Sequence, residues 1–210
     1  MKTLIILADK PLALTKAFNV LQRGGLVAFP TDTVYGVGAL AHDKKGIQKL
    51  FDAKGREAGK AIPILLGDLA DLARVAVDVG PIPRLLAERF WPGPLTLVVP
   101  RHPSLPSDLG PEPTIGVRMP DHPVALALLR LCGPMAVTSA NLSGKANTRT
   151  AQKVMAQLDG RIPLILDGGQ SPGGLPSTVV DCTGPELVIL RAGPLSIEVL
   201  QEVLRQDGLL

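Results

Sequence analysis

Two hundred and ten residues, 46% hydrophobic and 20% charged, can bury a substantial core and exclude an intrinsically disordered chain. No stretch reaches the roughly 20 apolar residues of a membrane helix, and the opening MKTLIILADKPL is too short an apolar run for a secretory signal, so a cytoplasmic protein is expected. The net charge is only +3, yet positive charge is concentrated: Lys44 to Lys60 and Arg130 to Arg161 each carry +4, which leaves the rest of the chain at −5.

In chain order, Pro11 to Arg23 is expected as a helix ended by Gly24 and Gly25. A strand follows at Leu26 to Phe29. Asp43 then caps a helix in which Ile47, Leu50, Phe51 and Lys54 follow helical spacing, placing Lys54 in its last turn. Short apolar runs of strand length recur at 62–66, 95–99, 115–119 and 135–138, and again at 164–166, 178–181 and 187–190. Their continuity predicts a sheet covered on both faces. Asp121 is expected to open a helix stopping near Gly133, and Thr148 or Thr150 another through Leu158. The 20 prolines and 22 glycines collect in connections, above all GGQSPGGLPS at 168–177, which has the length of a mobile lid or binding loop. With no repeat and no linker, the expectation is a single α/β domain spanning 1–210.

Cys132 and Cys182 lie beside apolar residues and read as buried thiols, and the three histidines are scattered, so no metal site is expected. Six aromatic residues are too few for a base-stacking platform.

Four stretches carry candidate chemistry. In PTDTVYGVG at 30–38, hydroxyls, a carboxylate and glycines follow a buried strand and serve either as turn caps or as ligand groups. The tail GVGALA also fits a dinucleotide fingerprint, but its glycines do not follow the strand directly and no lone acid stands about 20 residues on. Lys54, Arg56 and Lys60 gather cations at a helix end, suited to a triphosphate or simply to the helix dipole. In TSANLSG at 138–144 a strand ends in hydrogen-bonding groups. Without a GxSxG elbow or a histidine partner, Ser139 and Asn141 read as ligand-binding groups or as an ordinary turn, not as a nucleophilic centre. Arg118, Ser177, Thr178 and Arg191 each stand at a strand end, and together these groups describe one polar cationic site at the strands' carboxyl ends.

PTDTVYGVG, KGR, WPGPLT, GVRMPDHP, TSANLSG, LPSTVVD and RAG, in this order over about residues 12–195, resemble the YrdC/TsaC family of threonylcarbamoyl-AMP synthases in its short, single-domain form. The resemblance implies a twisted, mostly open α/β sheet with flanking helices and a large basic concave cavity. It implies synthesis of L-threonylcarbamoyladenylate from ATP, L-threonine and bicarbonate or CO2, with release of pyrophosphate, for N6-threonylcarbamoyladenosine in tRNA. Carried over by position, Lys54 and Arg56 would be the catalytic cations and would hold ATP with Ser139, Asn141 and Arg191. Thr31, Tyr35, Arg118 and Ser177 would hold threonine, with Lys60, Thr138 and Ser143 as additional wall residues. Magnesium would accompany the triphosphate, and separate proteins would transfer the product to tRNA. Glu57 and Ala61 stand where the family commonly has proline. The competing expectation is a double-stranded RNA or tRNA-binding module of the same fold, its two basic segments tracking phosphates.

Overall fold

A computed structural model describes residues 2–57 and 59–209. The elements in chain order are β1 (Leu4–Leu7), α1 (Ala13–Gln22), β2 (Val27–Phe29), β3 (Gly36–Leu40), α2 (Lys44–Lys54), β4 (Ile64–Leu65), α3 (Pro81–Phe90), β5 (Leu95–Pro100), β6 (Thr114–Arg118), α4 (Pro123–Cys132), β7 (Met135–Ser139), α5 (Ala151–Leu158), β8 (Leu164–Asp167), β9 (Thr178–Asp181), β10 (Val188–Arg191) and α6 (Ile197–Gln206). The strands form one mixed sheet in the order β1-β8-β2-β3-β7-β4-β6-β5-β9-β10. The single α/β fold is the class that the apolar runs and helical patterns led us to expect, and the open mixed sheet agrees with what the family resemblance implies.

Alternation along the strands divides the core between two faces. On β2, β7 and β8, the residues Val27, Phe29, Met135, Val137, Leu164 and Leu166 meet α1 and α4 through Ala17, Leu21, Ala125 and Leu128. Ala28, Ala136 and Ile165 point the other way, toward a larger cluster built by α2, α3, α5 and α6. These strands are covered on both faces, which is why their sequences read as unbroken apolar runs.

Farther along the sheet the cover is one-sided. Leu95, Leu97 and Val99 of β5 and Ile115 and Val117 of β6 belong to the larger cluster. The intervening Thr96, Val98 and Gly116 line an open cavity instead. The helices α1 and α4 do not extend over this half, and its bare face becomes a concavity.

Several local readings are corrected by the structure. Gly36 to Gly38, expected as the tail of a turn, opens strand β3, which is hydrogen-bonded between β2 and β7 in antiparallel register. Its glycines serve close packing: a Cβ on Gly38 would sit 2.7 Å from the Ala136 carbonyl oxygen. β1, α3 and α6 were not anticipated; β1 is an edge strand with Leu4 and Leu7 exposed, unlike the buried runs. The helix expected from Asp121 begins at Pro123, because the His122 ring, not the Asp121 carboxylate, accepts the Val124 N–H at 3.3 Å. Cys132 and Cys182 are half-buried free thiols, and burial pushes them up to about 11 and about 12.

Leu128 is fully buried between α4 and the sheet. Leu128→Ala should lower unfolding stability by about 2–5 kcal/mol, read as a reduced urea midpoint at unchanged m-value.

Candidate functional site

The cavity on the bare half of the sheet has a volume of about 410 Å³. Thr31, Tyr35, Arg56, Arg118, Thr138, Ser139, Ser177 and Arg191 all line it, although they come from six separate segments of the chain. The expectation that ligand groups would stand at one row of strand carboxyl ends does not describe this geometry. The sheet is mixed and has no common carboxyl edge, so the lining runs across strand faces through Thr96, Val98, Gly116 and Val179.

One end of the cavity is built on α2. Asp43 caps its start by accepting the Lys45 N–H, and Gly55 ends it at φ +57°, a left-handed conformation that glycine adopts without strain. The turn of the chain there sends Lys54 and Arg56 to different environments. Arg56 lines the cavity; one Nη donates to the Ala61 carbonyl at 3.1 Å, and its Nε is buried without a partner. Lys54 is only 2% exposed and lies behind the lining, where its ammonium donates to the carbonyls of Ser139 and Asn141, the latter at 2.5 Å. Burial and then the Arg56 charge lower Lys54 to about 8. Asn141 also stands behind the lining. Its amide nitrogen donates to Leu142 and Lys145 carbonyls at 2.8 and 2.7 Å, while its Oδ1 is buried and unpartnered. The Lys54 carbonyl in turn accepts the Ser143 N–H at 2.9 Å, so the helix end and the TSANLSG turn form one unit. Lys60 and Ser143 themselves are not part of the wall; Lys60 faces Glu57 at 3.0 Å in an exposed pair.

The other end centres on Arg118, 6% exposed. Its Nε donates to Gly93 carbonyl at 2.9 Å, Nη1 to Thr33 Oγ1 at 3.1 Å, and Nη2 to Asp32 Oδ1 at 2.5 Å. Burial pulls the guanidinium below its usual range, and the Asp32 carboxylate opposes that pull. The Thr31 hydroxyl donates to Val34 carbonyl at 2.6 Å and so closes a turn while facing the cavity. Tyr35 is fully buried and donates its hydroxyl to the Gly169 carbonyl at 2.6 Å; desolvation and the nearby Asp167 raise it to about 12, so it stays a donor.

Between these ends, Arg191 holds Ser177. Its Nε and one Nη reach the Ser177 carbonyl at 3.1 and 2.9 Å, and the same Nη reaches Ser177 Oγ at 3.0 Å. Ser177 Oγ also shares a 2.7 Å hydrogen bond with Thr96 Oγ1. A register shift between Ile189 and Arg191 pairs Arg191 with Val179, so the bulge turns both Leu190 and Arg191 toward the cavity.

Sequence reasoning assigned no role to Thr33, Thr96 or Asn147, which also line the cavity. For Thr33, its two-residue spacing from Thr31 is a usable signal; Thr96 stands in WPGPLT at an inward-facing strand position, and nothing in the sequence marks Asn147. The 168–177 loop is held at several points. Tyr35 grips Gly169, Arg149 donates to the Ser171 and Pro172 carbonyls at 3.0–3.1 Å, and the Gly173 N–H donates to the Asp32 carbonyl at 3.0 Å. Among the described residues no group of three or more His, Cys, Asp or Glu is placed to hold a metal ion, and no helix is long and apolar enough to cross a membrane.

An α/β sheet that leaves half of one face bare and fills it with arginines, hydroxyls and orphan polar atoms defines a protein for small polar, anionic ligands. Residues 19–193 match the family model of the Sua5/YciO/YrdC proteins, described as "Telomere recombination", and the chain belongs to this family. It is 42% identical over 190 residues to the threonylcarbamoyl-AMP synthase of Pyrococcus abyssi, a match covering 90% of this chain and 56% of that protein. A Mycobacterium tuberculosis relative is 42% identical over 196 residues, 93% of this chain and 90% of its own length. The crystal structure of P. abyssi Sua5 complexed with L-threonine superimposes with a TM-score of 0.91 at 40% identity, covering 96% of this chain and 61% of that one. The chain thus spans a little over half the length of the P. abyssi relative.

Lys54 carries its proton below about pH 8 and loses it above. Affinity of this end of the cavity for a probe anion of constant charge, sulfate, measured calorimetrically, should therefore fall as pH rises through 8, and the inflection should be missing in Lys54→Met. Because an unfolded lysine titrates near 10.5, the ligand-free fold should gain stability from pH 8 to 10.5, the opposite sign.

Proposed function

We propose that this chain is an L-threonylcarbamoyladenylate synthase, making threonylcarbamoyl-AMP from ATP, L-threonine and bicarbonate or CO2 with release of pyrophosphate. The observation that carries the proposal is the convergence of Arg56, Ser139, Arg118, Ser177 and Arg191 on one cavity, with cationic groups at both ends. A nucleoside triphosphate at one end and an amino acid held by its carboxylate at the other fit such a site. The orphan Nε of Arg56 and Oδ1 of Asn141 are unmet polar groups at the end assigned to ATP. Arg118, with Thr31, Tyr35 and Ser177, would receive threonine at the other end, its guanidinium taking the carboxylate.

The chemistry needs no protein nucleophile. The threonine amine condenses with bicarbonate, losing water, to give a carbamate. A carbamate oxygen then attacks the α-phosphorus of ATP, a new P–O bond forms, and the bond to the β,γ-phosphates breaks to release pyrophosphate. What the chain supplies is alignment of the two substrates and positive charge opposite the phosphates. Lys54 contributes from behind the wall, fixing the Ser139 and Asn141 carbonyls while adding its charge beside Arg56. The carboxylates adjoining the lining are already engaged, Asp32 by Arg118 and Asp167 by Tyr35, Gly169 and Gln152. Magnesium would therefore enter on the phosphates of ATP as part of that substrate.

Residues 1–210 would act as one YrdC-like unit in the cytoplasm, passing the adenylate to separate proteins that transfer threonylcarbamoyl to tRNA. The RNA-binding alternative, which rests on the basic segments 44–60 and 130–161, is not favoured, since relatives 41–42% identical over most of this chain are named as threonylcarbamoyl-AMP synthases.

The purified chain with ATP, magnesium and bicarbonate should release pyrophosphate only when L-threonine is present, and the signal should vanish without bicarbonate. Release independent of threonine would overturn the proposal. Arg56→Ala should lower kcat/KM by about 100-fold or more. Arg118→Lys, which loses the planar fork, should raise KM for threonine by about tenfold or more while leaving KM for ATP near its original value.

A further inference from the structure

Arg118 is the cation that the proposed reaction assigns to threonine, yet it does not face the cavity as a bare positive charge. Asp32 Oδ1 lies 2.5 Å from its Nη2, and the two side chains are 13% and 7% exposed. The same oxygen accepts the Asp121 N–H at 3.2 Å, a second bond that helps to orient the carboxylate. A guanidinium has five N–H donors. Three are used, on Gly93, Thr33 and Asp32, which leaves one on each terminal nitrogen for a ligand. An anion taking those donors would stand roughly 5–7 Å from the Asp32 carboxylate.

Charge at that distance discriminates between ligands. A zwitterion brings its own ammonium, and Asp32 also forms part of the wall of a smaller cavity, about 250 Å³, that shares Thr33 with the larger one. An ammonium there is attracted by the same carboxylate that weakens Arg118 for anions. A phosphate group has two negative charges and nothing to offset the repulsion. Arg56, by contrast, has no carboxylate hydrogen-bonded to it among the described residues, and its Nε is unpartnered there.

We propose that Asp32 is the specificity residue of this subsite: by half-cancelling Arg118 it admits an amino-acid zwitterion and keeps phosphate groups out, so the triphosphate is confined to the Arg56 end. The inference rests on the synthase reading for the identity of the amino acid, but not for the exclusion of phosphate.

The test uses Asp32→Asn, which keeps an acceptor oxygen for Arg118 and Asp121 while removing the charge. With the nucleotide end filled by a non-hydrolysable ATP analogue, inorganic phosphate should leave threonine binding by the wild type unchanged. In Asp32→Asn it should compete, with phosphate affinity raised about tenfold or more. Asp32→Glu, which restores the charge, should restore exclusion. Equal phosphate sensitivity in wild type and Asp32→Asn would overturn the inference. A wild type that binds no threonine would overturn the synthase reading alone, because direct phosphate titration of the two proteins still reads the effect of Asp32. Should Asp32→Asn not fold, the wild type decides: 3-hydroxybutyrate, which is threonine without its ammonium, should bind at least about tenfold more weakly than threonine, and equal affinity would refute the role given to Asp32.

Discussion

α1 and α4 cover one face of a ten-stranded sheet, and that cover stops short of β5, β6, β9 and β10. Everything that makes the site follows from this limit. On the covered half, alternate side chains on both faces are apolar and lock into two cores, each fully buried leucine contributing about 1.5–3 kcal/mol. On the bare half the same alternation places Thr96, Val98 and Gly116 in a concavity while Leu95, Leu97 and Val99 anchor the strand from behind. The polar groups of the site therefore stand on strands held by packing on the opposite face.

The polar groups do not float in that concavity. Each arginine is restrained by backbone carbonyls: Arg56 by Ala61, Arg118 by Gly93, Arg191 by Ser177. Burial disfavours all three charges to some extent, and among the described residues only Arg118 has a carboxylate to compensate. Removing one partner of a buried pair of this kind costs about 3–5 kcal/mol, so the Arg118 end of the cavity is also a structural joint between the 30–35 turn, β6 and the Trp91–Pro94 turn. At the other end Lys54 ties α2 to the end of β7 in the same manner.

How much of this was legible depended on the signal each feature leaves. Strands such as β5 and β9, buried or inward-facing, announced themselves as apolar runs, and α2 by its spacing and its Asp43 cap. β3 did not, because the glycines that let it pack against β7 look like turn residues. β1 was missed as an exposed edge strand whose short apolar run opens the chain. For the site, the groups on strand ends and in the polar turns were readable as candidates, and Arg56, Arg118, Ser139, Ser177 and Arg191 do share one cavity. What the sequence could not carry was depth. Lys54 and Asn141 lie behind the wall, Lys60 outside it, and the bulge that brings Arg191 inward has no marker in the residues around it.

The Arg149 grip on Ser171 and Pro172 has a thermodynamic consequence for the glycine-rich loop. With Gly169, Ser171, Pro172 and Gly173 tethered and Ser177 held by Arg191, the free span is Gly174 to Pro176, carrying Leu175 at 64% exposure. Freezing three residues over a bound substrate costs about 3–6 kcal/mol of backbone entropy, against about 10–20 for a ten-residue lid. Most of the ordering cost of this loop is thus met at folding, and only the three-residue span is left to be ordered by a ligand.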